Sequence, residues 1–231
     1  MDAPQSIGKG QTISAPHMHA HALEEVLPAL LKASLTAPKR ELKILDVGKI
    51  LTFFIINVYL LSSFCHSLQV QSSNHTVHIL GCGSGFLTAA FGRLVDRNGP
   101  ISPLSTGKVF GIEVFPDLVE LSRNNIMKQD KDLFDSGTVD ISRGDGWKGK
   151  PDEAPYDAIH VGAAAVSFPT RLMMQLNPEG GVMVIPVGPD GGVQNLYKVE
   201  RLRDNDDFSE QDFQIKALLG VRYVPLIQLK P

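Results

Sequence analysis

The stretch V-H-I-L-G-C-G-S-G-F-L-T-A-A-F-G-R-L-V, Val77–Val95, decides the fold class. Val77 to Leu80 is a short apolar run. Gly81, Gly83 and Gly85 then punctuate a loop, and Leu87 to Val95 has the composition of an amphipathic helix. Strand, glycine turn and helix in that order open a nucleotide-binding α/β unit. Glycine lets the chain turn sharply and lets a ligand approach the backbone closely. The free N–H groups of the first helical turn then face that ligand. A dinucleotide fingerprint, G-x-G-x-x-G, needs its third glycine at position 86, where Phe86 stands. The spacing is G-x-G-x-G, which taken alone also fits an ordinary tight turn between strand and helix.

Upstream, Leu42 to Gly48 (L-K-I-L-D-V-G) also reads as a strand entering the same motif, and it carries an acid, Asp46. The chain begins the motif twice and finishes it once. Two strands, Leu42 to Val47 and Val77 to Leu80, compete for one central slot. Between them Ile50 to Leu68 has no charged residue in 19 positions, long enough by itself for a membrane span. Asn57, Ser62, Ser63, His66 and Ser67, and a place inside a motif that must be soluble, argue against one. The run is expected to form a surface helix or to be poorly ordered. Removing residues 49 to 81 joins Gly48 to Cys82 and gives L-K-I-L-D-V-G-C-G-S-G-F, an uninterrupted motif with its acid restored. The segment reads as a retained intron or a gene-prediction error.

Outward from this centre, strands and helices alternate. A helix follows Ser14 as N-cap, with Pro16 in its first turn, and runs to about Leu35. Strands are expected at Lys108 to Val114, Thr138 to Ser142, Tyr156 to Val161, Val182 to Val187 and 192–203, with a last strand pair in Ala217 to Leu229. Helices are expected at Pro116 to Lys128 and Pro169 to Leu176. This alternation predicts an α/β domain, a parallel sheet covered on both faces, with an antiparallel final strand. The 231 residues, 43% hydrophobic, suffice for one sizeable core.

Net charge is −3, so no basic footprint points to nucleic acid. Cys65 and Cys82 have neither metal-like spacing nor a disulfide framework, which fits a reducing, cytoplasmic setting. The polar, Gly-containing start M-D-A-P-Q-S-I-G-K-G has no signal-peptide pattern. His17, His19 and His21 alternate, yet Ala20, Ala22, Leu23, Glu24 and Glu25 make the segment helical. No Cys or Asp joins the histidines, so no metal site is expected.

In open α/β sheets ligands bind beyond the carboxyl ends of the strands. The glycine loop Gly81 to Gly85 follows one strand, Glu113 ends the next, and Asp145 in G-D-G-W follows the third. A carboxylate at Glu113 can accept from both hydroxyls of a ribose, and Asp145 from a purine amine. Singly each is a plain loop acid; together, after successive strands, they form a pattern.

G-x-G-x-G resembles the first motif of class I S-adenosylmethionine-dependent methyltransferases. G-Q-T-I-S-A-P-H-M-H-A (Gly10 to Ala20), G-D-G-W (Gly144 to Trp147), A-P-Y-D-A-I-H-V-G-A-A-A (Ala154 to Ala165), L-x-P-x-G-G (Leu176 to Gly181), I-P-V-G-P (Ile185 to Pro189) and G-V-R-Y-V-P-L (Gly220 to Leu226) together resemble the protein-L-isoaspartate O-methyltransferase family. The resemblance implies a Rossmann-like domain with a mostly parallel seven-stranded sheet and helices on both faces. It implies methyl transfer from S-adenosylmethionine to the α-carboxyl of L-isoaspartyl residues in damaged proteins, and D-aspartyl residues as a further substrate. It implies a monomer that acts on isoaspartyl proteins and peptides, not on nucleic acid or membranes. Thr12, Ile13, Ser14 and His19 match the segment lining cofactor and substrate, with Ser14 in the catalytic position. Gly81, Gly83 and Gly85 match the glycine loop, Glu113 with Val114 the ribose position, and Asp145 with Gly146 the adenine loop. A carboxylate is already a nucleophile at neutral pH, so such an enzyme mainly aligns it with the methyl carbon and sulfur.

Three departures accompany the resemblance. A helical segment found upstream in relatives has no match here, Ile227 stands where relatives carry a polar residue, and residues 49–81 interrupt the first motif. They keep open a catalytically silent variant that binds little; a nicotinamide dehydrogenase is a third reading, which Phe86 disfavours.

Overall fold

The computed structural model describes residues 6–8, 11–12, 16–37, 40–47, 54–56, 77–79, 85–101, 106–205 and 207–229. Two short strands, β1 (Ser6–Gly8) and β2 (Gln11–Thr12), pair antiparallel ahead of helix α1 (Pro16–Thr36). Met18, Ala22, Val26 and Leu30 recur every fourth residue on α1 and are buried, as an apolar helical stripe requires. β3 (Leu42–Val47) follows, then β4 (Phe54–Ile56), β5 (Val77–Ile79) and α2 (Phe86–Val95). The rest of the chain supplies β6 (Gly107–Glu113), α3 (Pro116–Gln129), α4 (Lys131–Asp135), β7 (Val139–Arg143), β8 (Ala158–Val161), α5 (Thr170–Met173), β9 (Val182–Val187), β10 (Gln194–Arg201) and β11 (Phe213–Val221).

Seven strands form one sheet in the order β11-β10-β9-β8-β3-β6-β7. The five from β9 to β7 are parallel, while β10 runs antiparallel to both β9 and β11. The mostly parallel seven-stranded sheet is therefore present, with an antiparallel edge. The final pair is β10 with β11, not the expected pairing within Ala217 to Leu229. Residues 222–229 run on as a tail, held by a bridge of Pro225 beside Ala164 and by hydrogen bonds between the Tyr223 backbone and the Gln194 side chain of β10. Prolines 169 and 178 bracket α5, which is one turn rather than the longer helix expected to Leu176.

Side-chain alternation splits the core between the two faces. Leu42 and Ile44 point to the face covered by α1, α2, α3 and α4, with Val109, Ile141, Ala158 and Val184 around them. Leu45 and Val47 point to the other, with Ile112, Ile159, Met183 and the short α5. Asp46 follows the parity of Leu42 and Ile44, so it lies buried under the helices.

Of the two rival strands, Leu42–Val47 occupies the central slot, between β6 and β8. Val77–Ile79 instead pairs with Phe54–Ile56 in a separate antiparallel ladder. Phe54–Ile56 is thus strand where the apolar run was expected to be helical. The remainder of Ile50 to Leu68 lies outside the described residues. No helix among the described residues is long and apolar enough to cross a membrane.

Candidate active site

The chain steps from β3 outward to β6 and β7, then returns to the other side of β3 for β8 and β9. That reversal makes a topological switch point at the carboxyl end of β3, where open α/β sheets bind ligands. Register brings the polar residues together there. Asp46 lies beside Gly111 of β6 and His160 of β8, and Glu113 lies beside Arg143.

Gly85 caps α2 with φ 93, a left-handed conformation in which an L side chain is strained. A Cβ there would also meet the Ser122 carbonyl oxygen at 2.8 Å and Ile126 Cδ1 at 2.9 Å. Only glycine lets the loop enter α2 this close to α3. In the first turn of α2, Thr88 donates its hydroxyl to Asp46 Oδ2 at 2.7 Å. Asp46 Oδ1 sits 2.8 Å from His160 Nδ1. The acid, the hydroxyl and the imidazole form one buried network across β3, β8 and α2.

His19 reaches the same region from α1. Its ring is buried and stands edge-on to Phe86 at 5.4 Å and 81°. Burial, above all, lowers its pKa from 6.5 to about 3. The charges of His160 and His17 act in the same direction, against Asp46. The neutral ring leaves Nε2 buried without a hydrogen bond. His17, by contrast, is exposed.

Glu113 ends β6 with 1% exposure and turns Oε1 back to accept the Phe115 N–H at 3.0 Å. Val114 is half-buried, and its carbonyl accepts from Arg143 Nε at 3.3 Å. Asp145 is buried just past β7. Its Oδ1 accepts the Trp147 N–H at 3.0 Å, while Oδ2 is buried without a hydrogen bond, with Lys148 Nζ 3.9 Å away. Beside it Gly146 packs so closely that a Cβ would meet Val47 Cγ1 at 2.6 Å and Leu226 Cδ1 at 2.9 Å.

The tail closes over this end of the sheet. Ala164 N–H donates to the Val224 carbonyl and Leu226 N–H to the Ala164 carbonyl, both at 2.8 Å. Trp147 Nε1 donates to the Leu226 carbonyl at 3.0 Å. The G-D-G-W loop and the tail are thereby one unit.

Of the residues singled out in the sequence, His19, Gly85, Glu113, Val114, Asp145 and Gly146 are described. Ile13, Ser14, Gly81 and Gly83 lie outside the described residues, and Thr12 enters only as backbone of β2. Sequence reasoning passed over Thr88, His160 and Trp147. A signal for His160 was present: it is the one polar residue in the otherwise apolar A-I-H-V strand.

Asp46, Glu113 and Asp145 set three buried carboxylates at the ends of parallel strands. The field suits a cationic ligand, and the buried Asp145 Oδ2 is an acceptor ready for an N–H donor. At Gly85 and Gly146 protein atoms fill the space a side chain would need, so these two glycines let α2 and the G-D-G-W loop pack closely on their neighbours.

The family pattern described as Protein-L-isoaspartate(D-aspartate) O-methyltransferase (PCMT) matches residues 1–50 and 41–230. The chain belongs to this family. A Caenorhabditis elegans protein-L-isoaspartate O-methyltransferase is 36% identical over 225 residues, covering 97% of this chain and 75% of that one. The Triticum aestivum protein-L-isoaspartate O-methyltransferase is 37% identical over 226 residues, covering 97% and 73%. Among solved structures, a Plasmodium falciparum β-aspartate methyltransferase in complex with S-adenosyl-L-homocysteine superimposes with a TM-score of 0.66 at 27% identity, over 98% of this chain and 81% of that one. The fold is that of S-adenosylmethionine-dependent methyltransferases, and the buried acids described above suit that cofactor.

Proposed function

We infer that this chain transfers a methyl group from S-adenosylmethionine to the α-carboxyl of L-isoaspartyl residues in damaged proteins, the first step of their repair. The observation that carries the reading is the line of buried acids Asp46, Glu113 and Asp145 at the sheet's switch point, in a chain of this family. When bound, the cofactor supplies an electrophilic methyl group on a sulfonium. Glu113 and the neighbouring Val114 take its ribose, and Asp145 Oδ2 with the Gly146 backbone takes its adenine. Gly81, Gly83 and Gly85 give its methionine end an approach to the N-terminus of α2.

Thr12, Ile13, Ser14 and His19 line the side where substrate enters. The Ser14 hydroxyl orients the isoaspartyl carboxylate and need not deprotonate anything, because the carboxylate is already the nucleophile. His19 is neutral at physiological pH and so adds no charge beside it. The tail residues Val224 and Leu226, tied to Ala164 and Trp147, shield the reacting end of the sheet. The same reading makes the protein a cytoplasmic monomer and residues 1–231 a single methyltransferase domain with an insertion at 49–81. Its two cysteines and net charge of −3 support the setting.

The test is methyl transfer from labelled S-adenosylmethionine to an isoaspartyl peptide, with the aspartyl isomer as control. Base-labile label on the isoaspartyl peptide alone is the expected result. No transfer to either peptide, with little S-adenosylhomocysteine bound, would establish the silent variant instead.

A further inference from the structure

We propose that His160 is a positioning residue for the methyl-donor site, acting through Asp46. The proposal rests on the S-adenosylmethionine reading above. His160 is 6% exposed, in a strand whose other members are apolar. An imidazole buried there is costly unless its nitrogens are bonded. It bonds Asp46 Oδ1 through Nδ1 at 2.8 Å. A carboxylate oxygen can only accept, so Nδ1 carries the proton and donates.

Asp46 is thus held from two sides. Thr88 of α2 grips Oδ2, and His160 of β8 grips Oδ1. The imidazole is itself packed against Phe91 of α2, with ring centroids 6.4 Å apart. These contacts join the three elements that meet at the switch point.

This matters more here than in a chain with a short loop after β3. Residues 48–85 separate β3 from α2, so covalent connection does little to fix Asp46 relative to the cap Gly85. Side chains must do it. Removing His160 takes away one of the contacts that orient the Asp46 carboxylate, and the acid's field then points less well to where the cofactor's charged end binds.

The experiment measures S-adenosylhomocysteine affinity by calorimetry, melting temperature, and KM and kcat with an isoaspartyl peptide, on the full chain. His160→Asn keeps an N–H near the Nδ1 position, whereas His160→Gln places its amide near Nε2 and His160→Leu has no donor. The expected result is about tenfold weaker binding for His160→Leu and His160→Gln. Their KM for S-adenosylmethionine rises more than kcat falls, and His160→Asn restores most of the affinity. In an Asp46→Asn background His160→Leu costs no further affinity. A purely structural role would lower the melting temperature of all three variants and leave the affinity of the folded protein unchanged, which overturns the proposal. So would equal affinities for the Asn and Gln variants, or losses at 46 and 160 that add. Absence of S-adenosylhomocysteine binding by the unaltered chain would instead overturn the cofactor reading, and this inference with it.

Discussion

Thr88 donates to Asp46 Oδ2 at 2.7 Å across 42 positions of sequence. The bond fastens α2 to the central strand, where the chain itself does not hold them close. Thr88→Val keeps the shape and removes the donor. A lost hydrogen bond to a charged group costs about 1.5–3 kcal/mol. The expected outcome is a lower urea midpoint with an unchanged m-value. An unchanged midpoint would mean the bond contributes nothing net.

His19 makes stability depend on pH. Its folded pKa is lowered to about 3, against 6.5 in the unfolded chain. Between those values the unfolded chain holds the extra proton. Stability from this group is therefore complete above pH 6.5 and declines as pH falls toward 3, by ~1.4 kcal/mol per pH unit. His19→Leu removes that component while other groups keep theirs. Urea titrations at pH 5 and pH 7 should show a smaller pH effect in the variant than in the parent chain. Identical pH effects would place the imidazole in water rather than in the core.

Asp145 divides its carboxylate between two tasks. Oδ1 holds the turn through the Trp147 N–H, while Oδ2 is buried without a hydrogen bond. Asp145→Asn keeps the first acceptor and turns the second into a donor. S-adenosylhomocysteine affinity should fall about 10–100-fold, with the melting temperature nearly unchanged. Unaltered affinity would remove Asp145 from the cofactor site.

Much of this was legible in the sequence because apolar runs bounded by glycine and proline locate parallel strands, and acids at their ends mark a candidate site. Glu113 and Asp145 emerge that way. Asp46 was visible too, but sequence alone could not rank Leu42 to Val47 against Val77 to Leu80, since both are short apolar runs. The ranking comes from tertiary partners: β3 satisfies its backbone against β6 on one edge and β8 on the other. His160 and Thr88 stayed hidden because their meaning lies in register and helix rotation, which spacing does not report. The β10–β11 pair was misplaced because Ala217 to Leu229 mixes the end of a strand with a tail held by isolated contacts.

The tail should loosen when its indole anchor is lost. Trp147→Phe keeps the ring and deletes the donor to the Leu226 carbonyl, at a cost of roughly 1 kcal/mol. Amide exchange at Leu226 and Ala164, whose N–H groups hold the tail to the sheet, should quicken in the variant. Amides elsewhere, such as those of β6, should keep their protection. Uniform quickening across the sheet would mean that Trp147 supports the whole fold and not the tail.

Deleting residues 49–81 is the sharpest test of how the domain is built. β3 already lies in the central slot, and α2 is already fastened to it through Thr88 and Asp46. After deletion only Gly48, Cys82, Gly83, Ser84 and Gly85 separate Val47 from Phe86, a normal length for a strand-to-helix loop. The present connection, residues 48–85, is far longer than most loops in compact domains. Shortening it recovers about 2 kcal/mol of loop-closure entropy. Among the described residues the strands lost, β4 and β5, pair with each other and take no part in the seven-stranded sheet. The deletion also removes the uncharged run Ile50 to Leu68, a hazard for aggregation wherever it meets water. Residues 1–48 joined to 82–231 should therefore be more soluble, unfold at a higher urea concentration, and bind S-adenosylhomocysteine more tightly than the full chain. Equal solubility, stability and affinity would show that residues 49–81 are an integrated part of the domain, and a less stable deletion would show that β4 and β5 support it.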